Sequence, residues 1–180
     1  MIYYSMPHDK DKNIGSYYNK FMEILPSDDD WAVFADSDTI FTTPDFGLLI
    51  EEAIERYEDA ACFTCFTNRV GCPWQIAPEI DRASNDMQYH RLYGKMLKDR
   101  FGSECVEVGK EWMPPLSGML IAIKKSAWTK IGGFVDGCLG VDNAMHFALR
   151  DTDQKVYLIK GLYIYHWYRN GNQRDTSHLK

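Results

Sequence analysis

The sequence predicts an α/β sandwich built on a mostly parallel central sheet, and three observations carry that expectation. Short apolar runs alternate with stretches whose apolar residues recur every three or four positions, the pattern of strands covered by helices. No internal repeat or linker interrupts the 180 residues, a length at which one core buries most of its apolar surface, so a single domain over residues 1–180 is expected. The chain is 45% hydrophobic and 26% charged, the balance of a folded soluble domain and not of a disordered one.

Taken in order, Ile2 to Ser5 is a short apolar run ended by Pro7 and a polar loop, and reads as an opening strand. Ile14, Tyr17, Tyr18, Phe21, Met22 and Leu25 recur at helical spacing until Pro26 stops them. Trp31 to Ala35 is a continuous apolar run, typical of a strand covered on both faces. Thr43 and Pro44 then supply an N-cap and a first-turn proline for a helix whose inward stripe is Phe46, Leu49, Ile50, Ala53 and Tyr57. Ala60 to Phe66 is the next strand, and the polar section from Asn68 to Asn85 reads as a loop. A helix follows on Tyr89, Leu92, Tyr93, Met96 and Leu97, then a strand at Cys105 to Val108. SGMLIAIKK is a strand and Ser126 to Lys130 a short helix leading to Gly132-Gly133-Phe134. Val141, Ala144, Met145, Ala148 and Leu149 stripe one more helix, before strands at Val156 to Ile159 and Leu162 to Tyr165.

Charge and cysteine content exclude several classes. A net charge of -6 disfavours a nucleic-acid partner or an anionic membrane surface, both of which call for basic residues. The opening MIYYSMPHDKDK has no basic region leading into an apolar stretch. No run approaches the ~20 apolar residues of a membrane span. A cytoplasmic protein without an integral membrane segment is therefore expected. Five cysteines are an odd number, so reduced thiols are expected. Cys62 and Cys65 form a CxxC, yet AACFTCFT reads as a buried strand and no second pair follows at zinc-binding spacing.

The chemistry concentrates in WAVFADSDTIF. Asp36 and Asp38 end an apolar strand, the place where open α/β sheets bind ligands. On an extended chain their side chains point to the same side. Two carboxylates that close raise each other's pKa unless a cation lies between them, and a hard divalent ion such as Mg2+ or Mn2+ removes that penalty. The alternative is that one acid caps the turn and the other is solvated.

Further motifs follow in order. NIGSYYNKFMEILPSDDDWAVFADSD sets a helix before the strand and its DxD, and SGMLIAIKKSAW, KIGGF, GVDNAMHFALR and LYIYHWY come after it. Together, over nearly the whole chain, they resemble a small GT-A glycosyltransferase of the family 2 type. The resemblance implies a GT-A nucleotide-diphospho-sugar transferase fold, an α/β/α sandwich shortened at its N-terminus, because two strand and helix units that normally build the nucleobase pocket do not precede Asn13. It implies a metal-dependent, inverting transfer of a sugar from a nucleotide-diphosphate donor, a UDP-sugar before a GDP-sugar, to a carbohydrate or other hydroxyl acceptor. By similarity Asp38 and His166 would ligate Mn2+ or Mg2+, Asp36 would bind ribose or sugar hydroxyls, and Asn13 and Gly118 would belong to the donor site. Asp142 resembles the general base that opens the helix after the GGF turn.

Each assignment has a plainer alternative. His166 could be a core or rim histidine with a satisfied hydrogen bond, Asp142 a helix cap, and Gly118 a tight turn rather than a close approach of backbone to sugar. Val141 stands where the family often has Glu. Trp112, Trp167 and Tyr168 are candidates for stacking on sugars, and Lys12, Arg69 and Arg169 for contacting diphosphate. Two other functions fit parts of the pattern. A haloacid-dehalogenase-like phosphatase also uses DxD after an apolar strand, but it wants Thr where Ile40 stands. A catalytically inactive GT-A sugar-binding or nucleotide-binding protein would fit the short N-terminus and Val141.

Overall fold

The computed structural model describes residues 1–8 and 10–169. Its strands are β1 (Ile2–Ser5), β2 (Trp31–Ala35), β3 (Thr39–Phe41), β4 (Ala60–Thr67), β5 (Cys105–Glu107), β6 (Leu120–Lys124) and β7 (Lys155–His166). Helices α1 (Ile14–Glu23), α2 (Phe46–Arg56), α3 (Met87–Phe101), α4 (Lys125–Lys130) and α5 (Val141–Asp151) connect them. One sheet runs β1-β2-β6-β4-β7-β3, with β5 added against β7.

The expected mostly parallel sheet is corrected to a mixed one. β1 with β2 and β4 with β7 pair in parallel, whereas β6 is antiparallel to both β2 and β4, and β3 and β5 are antiparallel to β7. The reason lies in how the chain enters β6. After β5 the segment before Leu120 returns to the edge where β2 and β4 end, held there by Trp74 Nε1 donating to the Pro114 carbonyl and Gln75 Nε2 to the Ser117 carbonyl. From that edge β6 can only run back down. Apolar periodicity is the same in either direction, so LIAI did not reveal this.

Helices cover both faces. Tyr18 and Met22 of α1 and Met145 and Leu149 of α5 pack on Phe34 and Ile121 on one side. Leu49, Ile50 and Ala53 of α2 pack on Val33, Phe63 and Ile159 on the other. Cys62 belongs to the first core and Cys65 to the second, so these two thiols project from opposite faces of β4 and cannot share an ion.

Three local expectations are also revised. Asp45, not Thr43, is the N-cap of α2, and Thr43 is buried. Thr39–Phe41 is a strand because it pairs with the end of β7. The two expected last strands are one, bent where Lys160, Gly161 and Leu162 fall between the registers Cys65↔Ile159 and Phe66↔Tyr163. The bend brings Gly161 against the turn that ends α3, where a Cβ would overlap the Gly102 carbonyl.

Candidate functional site

Four chain segments meet at one edge of the sheet. β2 ends at Ala35 opposite Leu120, where β6 begins, and β4 and β7 end together with Thr67 paired to Ile164. Asp36, Asn68, Gly118 and His166 therefore gather at that edge. Asp36 and Asp38 converge through a turn rather than through strand alternation. The Thr39 N–H and Oγ1–H both donate to the Asp36 carbonyl, at 3.1 and 2.6 Å. β3 then pairs Thr39 with His166, and the Trp167 N–H donates to the Asp38 carbonyl at 2.9 Å.

His166 is buried, and its Nε2 lies 3.2 Å from Asp38 Oδ1 and 4.0 Å from Asp36 Oδ2. Its backbone N–H donates to Asn68 Oδ1 at 2.8 Å, and its ring packs against Tyr168 at 5.1 Å. Among the described residues Nδ1 is buried without a hydrogen-bond partner, and the Tyr168 ring packs against the imidazole. One ligand atom from each of Asp36, Asp38 and His166 lies within 4.8 Å of the others. Two carboxylate oxygens and one imidazole nitrogen suit Mn2+ and fit Mg2+ through the oxygens.

The electrostatics of the cluster suit a positive charge beside Asp36 and Asp38. Burial, with Asp38 and Asp142 adding to it against the counteracting His166, pushes the Asp36 carboxyl up to about 6. Its side chain keeps 38% of its surface open to the cleft, so water tempers that shift. Asp38 goes the other way: burial opposes its ionisation, but the His166 hydrogen bond and charge outweigh burial and hold it below the usual carboxylate range.

A cleft of about 320 Å³ opens beside the trio, lined among others by Tyr18, Asp36, Gly118, Asp142, His166 and Arg169. Asp142, in the first turn of α5, accepts the Gly118 N–H on Oδ2 at 2.6 Å and the Asn143 N–H on Oδ1 at 2.9 Å. Burial raises its pKa against those bonds. A Cβ on Gly118 would come 3.1 Å from the Asp142 Cβ, so the bare backbone there is what admits this carboxylate.

The segment Leu116 to Gly118 is held by side chains that sequence reasoning did not single out. The Leu116 N–H donates to His146 Nδ1 and its carbonyl accepts from Asn143 Nδ2. Gln75 reads both polar groups of Ser117, accepting its N–H on Oε1 and donating to its carbonyl from Nε2, and also bonds Thr64 Oγ1. Gln75 and His146 are fully buried. Their only sequence signal is a polar residue inside an otherwise apolar neighbourhood.

The remaining candidates separate. Asn13 caps α1, accepting the Ser16 N–H and also the Gly137 N–H on Oδ1. Asn19 accepts the Phe134 N–H and donates to the Phe134 carbonyl. The two asparagines clamp α1 onto the loop that delivers Asp142. Arg69 is buried and bonds the carbonyls of Arg82, Ala83 and Ser84 and Asn85 Oδ1, so it braces that loop rather than reaching for a diphosphate. Lys12 sits in a left-handed turn outside the cleft wall. Arg169 and Tyr168 line the cleft, with the guanidinium 4.8 Å from the Tyr168 ring. Trp112 packs edge-on against Trp74, away from the cleft, and Trp167 is 40% exposed.

Fold and site thus define an α/β protein with a carboxylate and imidazole cluster at the mouth of a cleft. Comparison with protein-family models, with curated proteins and with solved structures finds no match. No helix among the described residues is long and apolar enough to cross a membrane.

Proposed function

We propose that the protein is a metal-dependent glycosyltransferase of GT-A type that moves a sugar from a nucleotide-diphosphate donor to an acceptor hydroxyl with inversion. The observation that carries the reading is the opening onto one cleft at the sheet edge of Asp142 and of Asp36 and His166, which cluster with Asp38 behind them. Asp38 and His166 would hold Mn2+ or Mg2+, with Asp36 beside them facing ribose or sugar hydroxyls. When bound, the ion supplies charge neutralisation for the departing diphosphate.

The protein residues do the rest. Asp142 takes the acceptor proton, and its raised pKa makes it a better base than an ordinary surface aspartate. Two backbone N–H groups fix the orientation of its carboxylate, leaving the remaining lone pairs for the incoming hydroxyl. The attacking oxygen then bonds C1 as the bond from C1 to the diphosphate oxygen breaks, without a covalent enzyme intermediate. Val141, buried at 2% exposure, offers no second acid for the acceptor, which leaves base work to Asp142.

Calorimetry with UDP-, GDP- and CDP-sugars, with and without Mn2+, tests the proposal. Metal-dependent binding of one nucleotide class, lost in Asp38→Ala, is the expected result; failure of every nucleotide to bind sinks it. Hydrolysis of a generic phosphate ester through a phosphoaspartate at Asp36 would point to the phosphatase instead. Tight binding without transfer to any hydroxyl acceptor would leave a nucleotide-sugar binder.

A further inference from the structure

Tyr18 differs from the amide and backbone groups of the cleft wall. The Gly118 N–H, the Asn143 amide and the Ser117 backbone are all engaged by protein partners. Tyr18 is only 4% exposed and lines the cleft, wedged between Phe34 and Phe134 with ring centroids at 4.3 and 4.9 Å. Its hydroxyl forms no hydrogen bond with any described residue, although Asp36 and Asp142 are near enough for their charges to act on it. The hydroxyl reaches the cleft rather than being sealed in the core, so a ligand that enters there can take the hydrogen bond it otherwise gives to solvent. Burial foremost, then those two carboxylates, raise the phenol's pKa, which keeps it a neutral donor.

The chemistry of the surroundings selects what can enter. A ligand hydroxyl accepts a hydrogen bond from Tyr18 while donating one to Asp36 or Asp142, satisfying a donor and an acceptor at once. A ligand carboxylate in the same place would face two acids. The one cation on the described wall, Arg169, lies beside Tyr168 near His166, where a diphosphate would bind. Ile14, Val70 and Val141 supply apolar wall for a ring face.

We infer that Tyr18, with Asp36 and Asp142, forms a sugar subsite that takes a neutral, hydroxyl-bearing pyranose and discriminates against uronic acids. This rests on the transferase reading above. Tyr18 is a binding residue here, reading a sugar hydroxyl directly.

The experiment compares the unaltered protein and Tyr18→Phe, which keeps the ring and its packing. Each is titrated in Mn2+ with the free nucleoside diphosphate, the matching nucleotide hexose and the matching nucleotide uronate, and thermal melting checks that the variant is folded. The expected result is unchanged affinity for the free diphosphate, a loss of about five- to tenfold for the hexose in Tyr18→Phe, and at least tenfold weaker uronate binding by the unaltered protein. Equal hexose affinity in both proteins overturns the inference while leaving the transferase reading intact. So does parallel loss of diphosphate and hexose binding, which would mark a structural role, or uronate binding as tight as hexose. If no nucleoside diphosphate binds the unaltered protein, the transferase reading fails and this subsite fails with it.

Discussion

At the scale of single residues, two side chains carry opposite pH signatures. His146 is fully buried, and burial followed by the nearby Arg150 lowers its pKa from 6.5 to about 4. A base whose folded pKa is depressed contributes stability above the unfolded value, lost as pH falls from about 6.5 towards 4, because the unfolded chain binds the proton more readily. The full loss is roughly 3 kcal/mol. Urea denaturation at pH 7.5 and pH 5 captures roughly 2 kcal/mol of it, and His146→Gln, which keeps an acceptor for the Leu116 N–H, should show a flatter pH response; equal slopes would refute the assignment. Asp36, raised to about 6, keeps its proton in the free protein to higher pH, so Mn2+ competes with that proton. Affinity for Mn2+ alone should rise as pH increases from 5 to 7, and Asp36→Asn should weaken binding while removing part of that rise. The spacing of Asp36 and Asp38 already suggests a shared ligand, and the structure brings His166 to them. Tyr18 and Gln75 were harder to read: Tyr18 belongs to the apolar stripe of α1, and Gln75 falls in a polar loop, so neither declares its buried neighbours.

Elements follow a different logic, in which local preference and tertiary fit compete. Gly15 lies inside α1, where Ala would be favoured by about 1 kcal/mol on helix propensity. A Cβ there would run into the Val135 carbonyl, on backbone that Gly15 also contacts through its N–H to the Gly137 carbonyl. Overpacking of this kind costs typically ~1–3 kcal/mol, so Gly15→Ala should destabilise despite its propensity and disturb the loop leading to Asp142. Gly47 in α2 is the contrast. A Cβ there meets only the Tyr4 hydroxyl at 3.3 Å, the end of a movable side chain, so Gly47→Ala should be neutral or stabilising by up to about 1 kcal/mol. Chemical denaturation of the pair decides, and two equal effects would count against this reading of α1. Helices and buried strands were legible because periodicity reports which face is covered. Strand direction and the antiparallel entry of β6 were not, because they depend on where a loop returns. The short β3 was invisible for a similar reason: it exists through its partner β7.

At the scale of the whole molecule, the site ties distant parts of the chain together, and ligand binding becomes stability. Mn2+ at about 100 times its Kd should add ~2.7 kcal/mol, which for a chain of this size raises Tm by roughly 5–10 °C. Asp38→Ala should abolish that shift, and a chain whose melting ignores Mn2+ would argue against a metal centre. The position of β7 has a consequence for biosynthesis. It is the last strand described, yet it sits between β4 and β3 with β5 also against it. A chain synthesised only as far as β6 therefore exposes open edges on β4 and β5, ready to pair with another chain. The same strand brings His166. Until it is translated and inserted, the nascent protein holds Asp36 and Asp38 without their imidazole partner, so the complete trio becomes available only after the sheet has closed its most aggregation-prone gap.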